Sequence, residues 1–343
     1  MIATPNPKWW LLLICSLFMF NASAQDIHFS QYARSPLNLN PALTGAFKGD
    51  YRFQANYRNQ WNMPVPYNTV SVSAEKNLCT VGCNEANCWR PKGFSFGALF
   101  NYDVAGDANL SLTQLEISGS YTHVMGGGFS ITPGIMLGGG QRSFDPINLF
   151  FDNQFNGKEF DPNSFGDTYE NQTKFLFDIS GGVNVHYQSC KTRTAFDIGS
   201  GVFHINQPKA NFYSTFERKL PARISLYGLG TIQLTQRIDF LVSTLAQFQG
   251  PYTEVLLSVG GRFYLKPGTR PGQTSFDLGL GLRMEDALLL NAALNYKMWV
   301  FGLSYDMNTS DFTAATNGNG GLEFSLGYII FQPPAKKVCP IRY

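Results

Sequence analysis

This chain is short of charge, histidine and long apolar runs, and each shortage removes a class of protein. After residue 24 no stretch reaches eighteen consecutive apolar residues, which excludes a bundle of membrane helices. Charged residues make up only 15% of the chain. Setting aside Lys8, the remaining 25 basic and 24 acidic residues nearly cancel, and no basic stripe invites nucleic acid as a partner. Four histidines, His28, His123, His186 and His204, sit in no G-x-S-x-G or H-E-x-x-H context. His186 shares an inward parity with Asp178, a pair read as structural. Glycine clusters such as Gly138-Gly139-Gly140 and Gly260-Gly261 precede no helix, so they read as bends in strands and not as phosphate cradles. No enzyme and no cofactor is expected.

What the chain does have is alternation. From Asp286 to Phe331, apolar residues occupy every second position: Leu288, Leu290, Ala292, Leu294 and Tyr296, then Phe301, Leu303, Tyr305 and Met307, then Leu322, Phe324, Leu326, Tyr328 and Ile330. A period of two sends one set of side chains to each face of a sheet. Repeated in segments of about ten residues, it suits tilted strands crossing a bilayer. Thirty-four glycines, 29 phenylalanines and 16 tyrosines fit strands, tight turns and interfacial girdles. The reading is an all-β, transmembrane, antiparallel up-and-down barrel of about 14 strands. Their expected spans are 51–60, 68–77, 92–102, 110–124, 128–142, 173–187, 192–204, 220–234, 237–249, 252–264, 274–284, 286–296, 298–308 and 320–331.

The N-terminus reads as a secretory leader, 1–24: Lys8, the apolar run Trp9 to Phe20, then Ala22-Ser23-Ala24, with cleavage expected after Ala24. Cys15 does not fit a lipidation site, because Ile14 is too bulky before it. The destination is the outer membrane. With the first strand rising outward, the short connections at 126–128, 188–191, 235–236 and 297 fall on the periplasmic side. The longest, 143–172, falls outside together with 205–219 and 309–319, whereas 78–91 and 265–273 are long for periplasmic turns.

Parity with the apolar set turns Arg52, Arg58, Glu75, Asp178, Asp197, Arg223, Asp239, Glu254, Arg262, Asp277, Arg283, Asp306 and Glu323 into the lumen. Mixed signs imply cross-lumen pairs in a wet, crowded interior. Cys79, Cys83, Cys88, Cys190 and Cys339 would all face the oxidising periplasm. The first three lack zinc-ribbon spacing and a nearby histidine, so one or two disulfides at the rim is the reading, with no metal and no pairing deducible.

Residues 25–50 do not read as barrel wall. Pro36, Pro41 and Gly45 punctuate the segment, and Phe29, Tyr32, Leu37 and Leu43 need an apolar place to pack. It reads as a plug in the barrel mouth or as a docking strip, ahead of a barrel over 51–331 and a periplasmic tail over 332–343.

Phe29-Ser30-Gln31-Tyr32, Pro36-Leu37, Asn40-Pro41-Ala42, Gly45 and Tyr57-Arg58-Asn59-Gln60-Trp61, with Ser304-Tyr305-Asp306, Gly320 to Leu326 and Cys339-Pro340 at the far end, resemble the PorP/SprF family of the type IX secretion system of Bacteroidetes. The Cys-rich 79–91 and the long 143–172 are not recognised as family features. The resemblance implies an integral outer-membrane component serving export or surface attachment of proteins with C-terminal sorting domains, as in adhesins and gliding. Implied partners are the periplasmic ring or a peptidoglycan-binding component, an exported surface protein and the lipid bilayer. The residues expected to form the plug or partner contact are Gln31, Tyr32, Pro36, Asn40, Pro41, Gly45, Arg58 and Trp61. The rival reading is an outer-membrane transporter of small hydrophobic molecules.

Overall fold

The computed structural model describes residues 26–60, 66–78, 93–145, 149, 154–155, 157–159, 161, 172–189, 191–210, 212, 219–265, 274–310, 313 and 318–331. Trp61 and the five cysteines after the leader lie outside these residues.

The described chain is a closed antiparallel barrel of fourteen strands in sequence order. They are β1 (Tyr51–Gln60), β2 (Tyr67–Asn77), β3 (Gly93–Ala105), β4 (Leu110–Gly126), β5 (Phe129–Ser143), β6 (Thr173–Gln188), β7 (Ala195–Phe203), β8 (Arg223–Gln233), β9 (Ile238–Gln249), β10 (Tyr252–Tyr264), β11 (Ser275–Arg283), β12 (Ala287–Tyr296), β13 (Trp299–Asn308) and β14 (Asn319–Ile330). Closure comes from β1 on β14, in register from Tyr51 opposite Ile330 to Gln60 opposite Gly321. Among the described strands no edge is left to pair with another chain. The expected strand count and order hold.

The wall is inside out relative to a soluble sandwich. On β3, Phe94, Phe96, Phe100 and Tyr102 face outward, while Ser95, Asn101 and Asp103 are buried in the lumen. On β11, Phe276, Leu278, Leu280 and Leu282 alternate outward with Ser275, Asp277 and Arg283 inward. An apolar exterior around a polar interior is the pattern of a lipid-embedded barrel. The rim where the strands begin and end, the termini-side rim, carries outward aromatic contacts: Phe94 with Tyr121, Phe129 with Tyr187, Phe263 with Phe276, and Trp299 with Tyr328. Such a ring is suited to the headgroup layer.

Three short helical turns precede the barrel, at Tyr32–Arg34, Pro36–Leu39 and Pro41–Leu43. They lie inside it. Tyr32, Leu39 and Leu43 join Tyr227, Leu245, Leu256, Ala287 and Leu289 in one apolar cluster, and Leu37 joins Leu99, Met136 and Phe203 in a second. Burying a side chain of this size contributes about 1.5–3 kcal/mol, so the segment and the wall share the interior's hydrophobic stabilisation.

Candidate functional site

The path of residues 26–50 follows from their partners. Asp26 lies at the far rim beside His204, Arg223 and Gln249. The chain descends through the lumen and leaves at the termini-side rim, where Asp50 N–H donates to Ile330 O at 2.8 Å and Asn77 N–H donates to Asp50 O at 2.9 Å.

Local sequence sets the turns. Pro36 and Pro41 open helical turns, where a missing N–H costs nothing. Asn40 caps the second of them: its Oδ1 accepts from Ala42 N–H at 2.9 Å, and its Nδ2 donates to Tyr227 Oη at 3.0 Å and Val183 O at 3.1 Å. Tyr227 Oη passes the chain on to Asn184 Oδ1 at 2.9 Å. Gly45 turns the segment back with φ +76°, and a Cβ there would collide with Ser95 Oγ and Asn77 Oδ1. Its N–H donates to Glu75 Oε2 at 2.9 Å, while Arg52 forks onto both Glu75 oxygens at 2.7 and 2.8 Å.

The centre of the site is Ser30. Its Oγ donates to Asp306 Oδ2 at 2.6 Å and accepts from Arg58 Nη1 at 3.0 Å and Arg283 Nη2 at 2.8 Å. Both guanidiniums also reach Asp306, at 3.0 and 3.2 Å, and Arg283 Nε meets Glu254 Oε1 at 2.9 Å. Glu323 accepts from the backbone N–H groups of Ser30 at 2.8 Å and Gln31 at 3.0 Å. Arg58, Glu323, Asp306 and Arg283 are all buried. Removing one member of such a group leaves an uncompensated buried charge, at a cost of about 3–5 kcal/mol.

At the far rim, His204 is clasped by two carboxylates: Nε2 to Asp26 Oδ2 at 2.8 Å and Nδ1 to Asp178 Oδ1 at 2.9 Å. Arg223 Nε adds a contact to Asp26 Oδ2 at 3.2 Å, and its Nη1 donates to Ile27 O at 2.9 Å. Burial works against both charges, yet Asp26 and Asp178 push His204 up to about 9, and Arg223 and His204 hold Asp26 well below the usual carboxylate range. Both ring nitrogens of His204 therefore lie within ion-pair distance of a carboxylate.

Of the residues singled out in the sequence, Gln31, Tyr32, Pro36, Asn40, Pro41 and Arg58 are buried in the lumen, with Gly45 at the segment's turn. Arg52, Asp197 and Arg262 of the inward set are half-buried, and the other ten are buried. His186 does face the lumen, but its partner is Asp197 at 3.0 Å, and Asp178 meets His204 instead. Parity also turns Asp103 and Glu116 inward, where both are buried; the outward Tyr102, Leu115 and Ile117 were the signal for them. Asp26, Ser30 and His204 lie outside the strands, so alternation says nothing about them. Among the described residues no group of three His, Cys, Asp or Glu side chains could hold a metal.

The family model for the type IX secretion system membrane protein PorP/SprF matches residues 21–328, and the chain belongs to that family. No curated protein matches the chain significantly. Among solved structures, the Ralstonia pickettii toluene transporter TbuX is 11% identical over 87% of this chain and 94% of its own, with a TM-score of 0.50. The CymD monoaromatic hydrocarbon channel, also 11% identical, covers 87% and 93% with a TM-score of 0.47. A Pseudomonas aeruginosa FadL homologue, again 11% identical, covers 86% and 93% with a TM-score of 0.46. At such identity the first of these supports the outer-membrane barrel fold alone.

Proposed function

We propose that this PorP/SprF protein is a non-conducting scaffold of the type IX secretion machinery, sealed by its own N-terminal segment. The observation that carries the reading is the Ser30 cluster, in which two arginines, Asp306 and Glu323 from four different strands converge on one point of the plug. A transport lumen needs a path, and this one is filled by chain tied to its wall. Lumen charges and the packed segment also speak against a carrier of small hydrophobic molecules.

In this reading the leader is removed after Ala24, and the termini-side rim faces the periplasm. That rim meets the periplasmic ring or a peptidoglycan-binding component, while the far-side connections at 144–172, 204–222 and 309–318 meet an exported surface protein of the adhesin type. Gln31, Tyr32, Pro36, Asn40, Pro41, Gly45 and Arg58 act by holding the plug and not by touching a partner, because they are enclosed. Disulfides among the rim cysteines remain part of this proposal.

Deleting Gln25–Gly49 tests it. The expected outcome is a barrel that inserts, conducts in a planar bilayer where the intact protein shows little current, and no longer supports export. Normal export without the segment, or a large steady conductance of the intact protein, overturns the reading. Affinity capture from cross-linked cells should then recover secretion components or a large exported surface protein.

A further inference from the structure

The plug does not fill the lumen evenly. Its last helical turn packs on β4, β5 and β6, and a cavity of about 320 Å³ remains between residues 30–34 and the wall formed by β7 to β12. That volume is within the range of small-molecule sites, roughly 300–1,000 Å³.

The lining is sorted by chemistry. Leu229, Leu241, Ala33 and the Tyr32 side chain give an apolar body. At the inner end, the Tyr32 hydroxyl lies against the hydroxyls of Ser243 and Ser258, and neither Tyr32 Oη nor Ser258 Oγ completes a well-formed hydrogen bond. Toward the termini-side rim stand Arg34 and Arg262, with side chains 22% and 29% exposed. They share a single carboxylate. Arg262 takes both oxygens of Asp277, at 2.8 and 2.9 Å, and Asn295 Nδ2 donates to it as well at 3.1 Å. Arg34 reaches the same, already occupied Asp277 Oδ2 only at 3.3 Å. Two guanidiniums therefore share one carboxylate at the open end, so N–H donors remain there, while Asn291 Oδ1 in the same lining is an acceptor without a partner.

We propose that this cavity binds a small amphipathic carboxylate, head at Arg34 and Arg262, stem against Tyr32, Leu229 and Leu241. The hydroxyls of Ser243 and Ser258 lie beyond the stem. The site is blind: the Ser30 cluster closes it toward the far rim, so it is a binding site and not a route across the wall.

The test compares 4-phenylbutyrate with its neutral amide on the purified full-length protein in detergent, by calorimetry and by ligand-observed NMR. The acid should saturate with a dissociation constant on the order of 1 mM or tighter. The amide should bind about tenfold or more weakly, as loss of a charge-assisted hydrogen bond requires. Arg34→Gln should erase that preference. Because Arg34 also ties the plug to β11, Ala33→Phe is run beside it; this exposed position at the mouth lets the ring block entry, and acid binding should disappear while the unfolding temperature stays put. Equal binding of acid and amide, acid binding unchanged in Arg34→Gln and Ala33→Phe, or no saturable binding by the intact protein each overturns the proposal. The assay reads the purified protein, so its outcome is separate from the export result.

Discussion

The plug's two halves are held by different physics. Residues 26–34 are tied by charge: Asp26 to His204 and Arg223, Ser30 to Arg58, Arg283 and Asp306, and Arg34 to Asp277. Residues 36–45 are tied mainly by neutral groups and shape, with charged side chains meeting them at backbone groups: Glu75 at Gly45 N–H, Arg223 at Asn38 O and Arg52 at Leu43 O. Asn38 Nδ2 donates to Ser71 Oγ and Asn101 Oδ1, Ser120 Oγ donates to Thr44 O at 2.7 Å, and Leu37, Leu39 and Leu43 are packed in apolar clusters. The charged half bonds to β1, β8, β9, β11, β13 and β14, and the neutral half to β2, β3, β4, β6 and β8. Neutral hydrogen bonds net only about 1 kcal/mol each, whereas a broken buried charge group costs several. The charged half is therefore strong but conditional, and the neutral half is modest and insensitive to its medium.

The largest effect should come from the charged half. Arg58→Ala takes the ion-pair partner from Glu323 and leaves Asp306 with Arg283 alone, and the expected loss is about 3–5 kcal/mol, read by denaturant unfolding in detergent. Glu323→Gln keeps the size and one acceptor for the Ser30 and Gln31 N–H groups, so it should cost distinctly less. If Arg58→Ala unfolds no more easily than Glu323→Gln, the ion cluster is not what holds this half. In the neutral half, Asn40→Ala removes the cap and the donor to Tyr227 together, with an expected loss of about 1–2 kcal/mol. Its local mark is faster hydrogen exchange at Ala42 and Leu43, with the N–H groups of Ser30 and Gln31 unchanged.

The two halves also differ in how far the sequence discloses them. Strands were legible because lipid outside and a polar lumen inside impose a strict period of two; β1 over 51–60 falls where alternation places it. Expected strand 192–204 begins late, at Ala195, because Arg193 leaves the ladder to fork onto Asp239 at the rim. Parity found Arg58, Asp306 and Glu323 as inward residues, since facing is a one-strand property. It could not find their mutual contacts. Pairing depends on how far the strands stagger around the closed wall, and on a segment with no period at all. That is why His186 and Asp178 share a face yet take different partners.

The smallest and most selective effect is one of pH, and it separates the halves without mutation. His204 lies among Asp26, Asp178 and Arg223, with Glu116 on the neighbouring wall contributing to the same field. Its pKa rises from the ordinary 6.5 to about 9 on folding. A raised basic group stabilises fully below its unfolded value and loses that contribution as pH climbs through the folded one. Asp26 runs the other way: held below 3.8, it contributes above that value and fails only in strong acid. The latch should thus be complete between about pH 4 and 6.5 and weaken toward pH 9 and above. Hydrogen exchange at Ile27 to Ser30, corrected for the intrinsic rate, should accelerate on passing pH 9, while Ala42 to Thr44 follow the intrinsic rate alone. His204→Gln should remove the step and leave the alkaline profile of both halves parallel. A step that survives this substitution would place the titrating group elsewhere, and one that appears in both halves would mean the plug moves as a single body.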